Sequence, residues 1–296
     1  MSKEQELMLQ SSYASMAPDR HDYDACYRKD EQWGLYALHC HDFYELYIHF
    51  SGAKFYCVDN NVYPLESCQL MVVPPFCMHG LIGDSAPENY ERAFLYISPA
   101  LLRSCGAGYI DLERFLNKYH TAGQYHFLLS PEDAQTCKQL IQELMTDLRT
   151  SSSMKRFANY TKVLHFLQLT CQTMRNTKEV VEPVVVNEAM HEILSYINDH
   201  FTQPLKLDAL ARQFGVSMSF LSHEFVKYTG RSVYDYILYR RVLLAKAMMT
   251  TNHSLNEVAY QCGFNDYSSF LRIFRKMVGM SPSAYRKANQ ADPTQS

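Results

Sequence analysis

The chain has 296 residues, 47% of them hydrophobic, and a formal net charge of −3. That length suits two domains with separate cores, and no apolar run approaches the ~18 residues of a membrane-spanning helix. The opening MSKEQELMLQ lacks a charged-then-apolar secretion signal, so a cytoplasmic protein is expected, and nine scattered cysteines without a CxxC pair read as reduced thiols, which excludes a disulfide frame or a cysteine zinc cluster.

Residues 35–129 read as short strands. FYELYIHF (43–50), AKFYCV (53–58), VYPL (62–65), QLMVVPP (69–75) and RAFLYI (92–97) are aromatic and aliphatic, with turns at Ser51-Gly52 and Asp59-Asn60-Asn61. Regular short strands with such turns predict a small barrel or sandwich over about 20–129. In HCHDFYE (39–45), strand spacing points His39, His41 and, with a bend after Phe43, Glu45 to one face, and His79 can join them across the barrel. Three imidazoles and a carboxylate suit an iron, manganese, nickel or zinc ion. They equally suit the lining of a small-molecule pocket at a barrel mouth or a purely structural cluster. The tyrosines of the strands, Tyr36, Tyr44, Tyr47, Tyr56 and Tyr63, alternate without a clear inward set.

The pattern changes at Ser130-Pro131-Glu132-Asp133, a helix start with a Ser cap, Pro in the first turn and acids behind it. Cys137, Leu140, Ile141, Leu144 and Leu148 then recur at three and four residues, which predicts an amphipathic helix over 131–149. Its stripe suits a dimer contact and packing on the barrel equally well. Ser151-Ser152-Ser153 interrupts it, and 154–175 reads as a second helix with Phe157, Tyr160, Leu164, Leu167 and Cys171 on one side. The Pro-containing stretch 176–187 reads as a linker. Residues 290–296 read as a disordered tail.

The remainder, 188–289, contains a repeat. LDALARQFGVSMSFLSHEF (207–225) aligns with LNEVAYQCGFNDYSSFLRIF (255–274), pairing Ala211 with Ala259, Gly215 with Gly263 and Phe225 with Phe274. A period near 48 residues marks a duplicated supersecondary unit. Each copy has a short helix, a turn through Gly, an N-cap (Ser217 or Asp266) and a second helix with a buried i,i+4 pair, which is a helix-turn-helix. The opposite face carries Met218, Ser219, Ser222, His223 and Lys227 in the first copy, and Tyr267, Ser268, Ser269, Arg272 and Lys276 in the second. Arg272 suits a bidentate contact to guanine. Lys227, Arg240, Arg241, Arg275 and Lys276, with the capping Ser217, suit phosphate contacts. Residues 188–290 carry 12 Lys and Arg against 8 Asp and Glu, in a chain that is acidic elsewhere. Capping boxes at Ser232-x-x-Asp235 and Ser254-x-x-Glu257 bracket the spacer helix between the copies.

The stretch from about Ile193 to Arg286, with LDALARQFGVSMSFLSHEFVKYTGRS, YRRVLLAKAMM and EVAYQCGFNDYSSFLRIFRKMVGMSP, resembles the AraC/XylS family of bacterial transcription regulators. The resemblance implies base-reading roles for Ser219, Ser222, His223, Tyr267, Ser268, Ser269 and Arg272. It also implies a cupin-like barrel in the first half, with HCHDFYE, Gly52 and His79 after Pro74-Pro75 in the cupin pattern and Phe76 in place of a usual Gly. The implied protein is α+β: a sensing and dimerisation domain over 1–175 and a DNA-binding domain over 188–289. Its expected partners are duplex DNA, a small-molecule inducer such as a sugar, RNA polymerase and a second copy. No cofactor, no metal and no enzymatic activity are expected, because a metal-dependent barrel enzyme would leave the helical repeat without a role. Where members often cap a helix with Ser or Thr, this chain has Lys206.

Overall fold

The structure, a computed structural model, describes residues 22–32, 38–82, 88–148, 150, 152–177, 181–249 and 252–290. Tyr36 and residues 291–296 of the expected tail lie outside them. The chain forms two compact units that meet in sequence between Val184 and Val185. Val184 N–H donates to the Val62 carbonyl at 2.7 Å, so the first unit reaches into the stretch expected as linker.

The first unit contains strands β1 (Tyr23–Gln32), β2 (Tyr44–Ser51), β3 (Phe55–Val58), β4 (Asn61–Pro64), β5 (Gln69–Val73), β6 (His79–Ile82), β7 (Glu88–Ile97) and β8 (His126–Leu128). They pair antiparallel in two sheets, ordered β1-β7-β2-β5-β8 and β4-β3-β6. Four helices accompany them: α1 (Pro99–Cys105), α2 (Leu112–Thr121), α3 (Pro131–Asp147) and α4 (Ser153–Asn176). Strand β2 is covered on both faces. Tyr44, Leu46 and Ile48 join a core with residues of all four helices, while Tyr47 turns to a second core between the sheets with Tyr56, Tyr63, Met71 and Tyr90. Burial on both sides turns the expected alternation into a continuous apolar run.

Three elements differ from the sequence expectation. Strand β1 and helices α1 and α2 fall in or beside a region that reads as strands and loops. The signals for the helices are nonetheless present: Ser98 Oγ accepts from Leu101 N–H with Pro99 behind it, and Asp111 accepts from Arg114 N–H. The stripe of α3 is settled as packing. Cys137, Ile141 and Leu144 are buried in the helix-side core, with Leu140 and Leu148 against it, so this stripe is not a dimer contact. The buried face of α4 is wider than expected: Leu167 is buried and Tyr160, Leu164 and Cys171 pack against the same core as expected, while Phe157 does not. Asn159, Val163, Phe166, Thr170, Thr173 and Met174 point inward, whereas Phe157 is 63% exposed. Polar residues on the inner face hid it; Asn159, for example, is hydrogen-bonded to the Tyr23 hydroxyl.

His126 on β8 is buried, with neither ring nitrogen hydrogen-bonded. Burial lowers its imidazole from the ordinary 6.5 to about 4. Above pH ~6.5 neither the folded nor the unfolded chain protonates here, and the native state keeps its full stability. Between the two values only the unfolded chain gains the proton, so stability falls with falling pH, by about 3 kcal/mol once pH ~4 is reached. In urea titrations across this range, His126→Phe should lack that portion of the loss; an unchanged pH profile refutes the assignment.

The second unit is helical: α5 (Glu188–His200), α6 (Leu207–Gln213), α7 (Met218–Thr229), α8 (Val233–Met248), α9 (Leu255–Gln261), α10 (Tyr267–Val278) and α11 (Pro282–Gln290). Helix α8 is its axis, with Tyr236, Tyr239, Val242 and Ala245 buried. At 16 residues it is about 24 Å long. Among the described residues, no helix is long and apolar enough to cross a membrane.

Candidate nucleic-acid interface and barrel cluster

The two helix-turn-helix copies are built alike. In each, the residue after the turn glycine donates its N–H to the alanine carbonyl of the first helix: Val216 to Ala211 and Phe264 to Ala259, both at 3.0 Å. Gly215 and Gly263 have φ of +66° and +87°, the left-handed region that favours glycine. Ser217 Oγ then accepts from Phe220 N–H, and Asp266 Oδ1 from Ser269 N–H. The Asp266 carboxyl lies below its ordinary value, chiefly through its hydrogen bonds to Ser269. Leu221 and Phe225 in α7, and Phe270 and Phe274 in α10, are fully buried. Gly230 and Gly279 end both helices in the left-handed conformation. Ser254 and Glu257 complete a capping box at α9, whereas Lys206 gives α6 no side-chain cap.

This scaffold turns the opposite faces outward. Ser219, His223, Ser268 and Arg272 are exposed, and Ser222, Tyr267 and Ser269 are half-buried. His223 Nδ1 lies 3.3 Å from a Glu224 carboxylate oxygen. Of the residues expected at phosphates, Ser217, Lys227, Arg275 and Lys276 are exposed. Arg241 is a correction. Its Nε donates to the Phe201 carbonyl at 2.7 Å and its Nη2 to Gln203 at 2.8 Å, so it clamps the chain end of α5. Arg240 lies over the Phe201 ring, 5.2 Å from its centroid. Phe220, next to Ser219 on α7 and not among the residues expected on this face, is 43% exposed.

In the barrel, His39, His41, Glu45 and His79 come together, with one potential donor atom from each within 4.8 Å of the others. The segment before β2 reaches β6 through paired backbone bonds between His39 and His79, at 2.9 and 2.8 Å. Nε2 of His41 and Nε2 of His79 each lie 3.0 Å from the same oxygen, Glu45 Oε2. Burial raises the Glu45 carboxyl, but the two imidazoles outweigh it and hold it well below its ordinary value. Burial lowers the His41 imidazole. Phe43 stacks on the His41 ring at 3.8 Å and Tyr96 meets it edge-on, two walls missed in the sequence. Phe76, at the position of the usual glycine, has φ +67°, and its N–H donates to the His41 carbonyl. The turn keeps the glycine conformation without the glycine.

The pattern of the AraC-like ligand binding domain matches residues 24–169, and that of a helix-turn-helix domain matches 210–288. The chain belongs to the AraC family. This regulator is 25% identical over 259 residues to the HTH-type transcriptional activator RhaS of Salmonella arizonae, covering 86% of this chain and 89% of that protein. It is 24% identical over 269 residues to RhaS of Escherichia fergusonii, covering 87% and 90%. Among solved structures, ToxT from Vibrio cholerae is similar over 92% of this chain and 100% of that one, at 15% identity and a TM-score of 0.36. The C-terminal domain of AraT from Geobacillus stearothermophilus is similar over 38% of this chain and 95% of that one, at 24% identity and a TM-score of 0.36. Family membership makes this AraC-type chain a DNA-binding transcription regulator with a ligand-binding barrel.

Proposed function

We propose that the protein is an effector-responsive transcription activator that reads two successive major-groove segments, with α7 in one and α10 in the next. The observation that carries this reading is the duplicated scaffold: two capped helices of matching architecture whose faces opposite the buried pairs are left at the surface. Ser219, Ser222 and His223 serve the first segment, and Tyr267, Ser268, Ser269 and Arg272 the second. Ser217, Lys227, Arg275 and Lys276 meet phosphates and fix the register. The relatives' designation as activators supports contact with RNA polymerase.

The effector is a small polar molecule of carbohydrate type bound within the barrel. Support comes from the aromatic interior, where Tyr47 stacks on Tyr56 and hydrogen-bonds Tyr90 at 2.8 Å; such rings offer apolar faces beside hydroxyls. The regulator acts as a homodimer in the cytoplasm, and its dimer contact lies away from the inward-facing stripe of α3. An effector shifts DNA occupancy only if it binds the two arrangements of the protein unequally.

Selection of genomic fragments by the purified chain tests the whole reading: enrichment of a two-part motif supports it, and recovery of random fragments overturns it. A second expectation concerns charge. Lys276→Ala should weaken binding to all sequences alike and reduce the slope of log K against log salt by about one unit. A loss confined to one sequence would contradict the phosphate role.

A further inference from the structure

The barrel cluster has a shortage of protons. His41 Nδ1 lies 3.0 Å from the Phe43 carbonyl oxygen, and His79 Nδ1 lies 2.9 Å from that of Cys77. The opposite nitrogen of each ring faces Glu45 Oε2 at 3.0 Å. Carbonyls and carboxylates only accept, so each ring is placed between two acceptors. A neutral imidazole carries one N–H. If that proton sits on Nδ1, two Nε2 lone pairs face a carboxylate oxygen; if it sits on Nε2, a lone pair faces each carbonyl. Satisfying all four contacts with protons alone requires either two imidazoliums at the Glu45 carboxylate or one imidazolium beside a protonated Glu45, and either way a net positive charge in a place where burial disfavours it.

A cation removes the conflict. Both Nδ1–H groups then stay on their carbonyls, which fixes the tautomer and aims both Nε2 lone pairs inward. Ligands about 2.1 Å from a metal and at right angles to each other are about 3.0 Å apart, the spacing of each imidazole nitrogen from the shared Glu45 oxygen. His39, half-buried at the edge of the cluster, supplies a third imidazole. We infer that His39, His41, Glu45 and His79 bind one divalent first-row transition ion of the iron-to-zinc series, through three nitrogens and one carboxylate oxygen. This donor set is too rich in imidazole for magnesium or calcium and too poor in sulfur for copper(I). Glu45 belongs to the five-stranded sheet and His79 to the three-stranded one, so the ion bolts the two sheets together. Metal occupancy therefore becomes a second input to the sensor, separate from the organic effector.

The full-length protein, stripped with a chelator and titrated with cobalt(II), tests the assignment through visible absorption. One equivalent should bind with the colour of a nitrogen-rich site, and zinc(II) should displace it. Glu45→Gln keeps the side-chain size and should weaken uptake more than ~100-fold, as should the paired change His41→Ala and His79→Ala. Binding of each variant to an operator fragment reports on the separate DNA-reading unit. Should a barrel variant lose its fold, His39→Asn at the half-buried position takes its place, with weakened cobalt uptake as the expected result. Stripped wild-type protein that takes up no cobalt overturns the inference, as does uptake unchanged in Glu45→Gln. Either result leaves the regulatory reading standing if DNA binding persists, whereas metal uptake without DNA binding sinks that reading and spares this one.

Discussion

Gly263→Ala is expected to destabilise the DNA-binding unit by about 2–5 kcal/mol, and Gly215→Ala, at the equivalent position of the first copy, by only about 1–2. Both residues sit at positive φ, so both substitutions incur the left-handed penalty. Their surroundings separate them. A Cβ on Gly215 meets nothing within 4 Å, whereas one on Gly263 falls 2.3 Å from the Thr202 carbonyl oxygen and 2.8 Å from its Cα. Backbone on backbone cannot yield by changing a rotamer, so the turn or the end of α5 must move. Urea unfolding of the helical signal measures the difference. Equal losses in the two variants would mean that the contact with Thr202 is not part of the native fold.

Arg272→Ala is expected to lose about 1–3 kcal/mol on the cognate operator and to relax the preference at a single base position. Arg272 is exposed one turn into α10, beyond the cap and on the face opposite the buried Phe270 and Phe274. From there its planar fork can address both acceptors on a guanine edge. Lysine keeps the charge but has no fork, so Arg272→Lys should recover the salt dependence and not the base preference. Binding to a library of single-base operator variants separates the two effects. A uniform loss across the library would reassign Arg272 to the phosphates, and an unchanged curve would remove it from the interface.

Much of the DNA-reading unit could be read in the sequence because its signals are local. Caps, turn glycines and i,i+4 aromatic pairs lie within a few residues of one another, and duplication repeats them. The barrel was harder because its signals are distant. Whether Tyr47 faces inward depends on β5 and β7, which lie far along the chain. Strand β1, YDACYRKDEQ, is held by pairing with β7 and offers only the short alternation Tyr23, Ala25, Tyr27 before a run of charged residues. In α4, Phe157 lies outward while Asn159 is buried with the Tyr23 hydroxyl as its partner, and nothing in the local pattern announces that pairing. The cluster of His39, His41, Glu45 and His79 was visible as a spacing, but its shared carboxylate oxygen and the aim of each Nδ1 required the folded backbone. Arg241 failed as a phosphate ligand for the same reason: a basic residue on a basic helix looks alike whether it meets solvent or a carbonyl.

The chain end of α5 is gripped from two sides. Arg241 of α8 holds the carbonyls of Phe201 and Gln203, Gly263 of the second turn presses on Thr202, and the Tyr236 hydroxyl reaches Asn198. A joint so fastened makes the domain a ruler with fixed graduations. One extra base pair between the halves of an operator would carry the far half ~3.4 Å away and about a tenth of a turn out of phase. The protein would have to release one half or distort the DNA, so the length of the gap is itself part of the message this regulator reads.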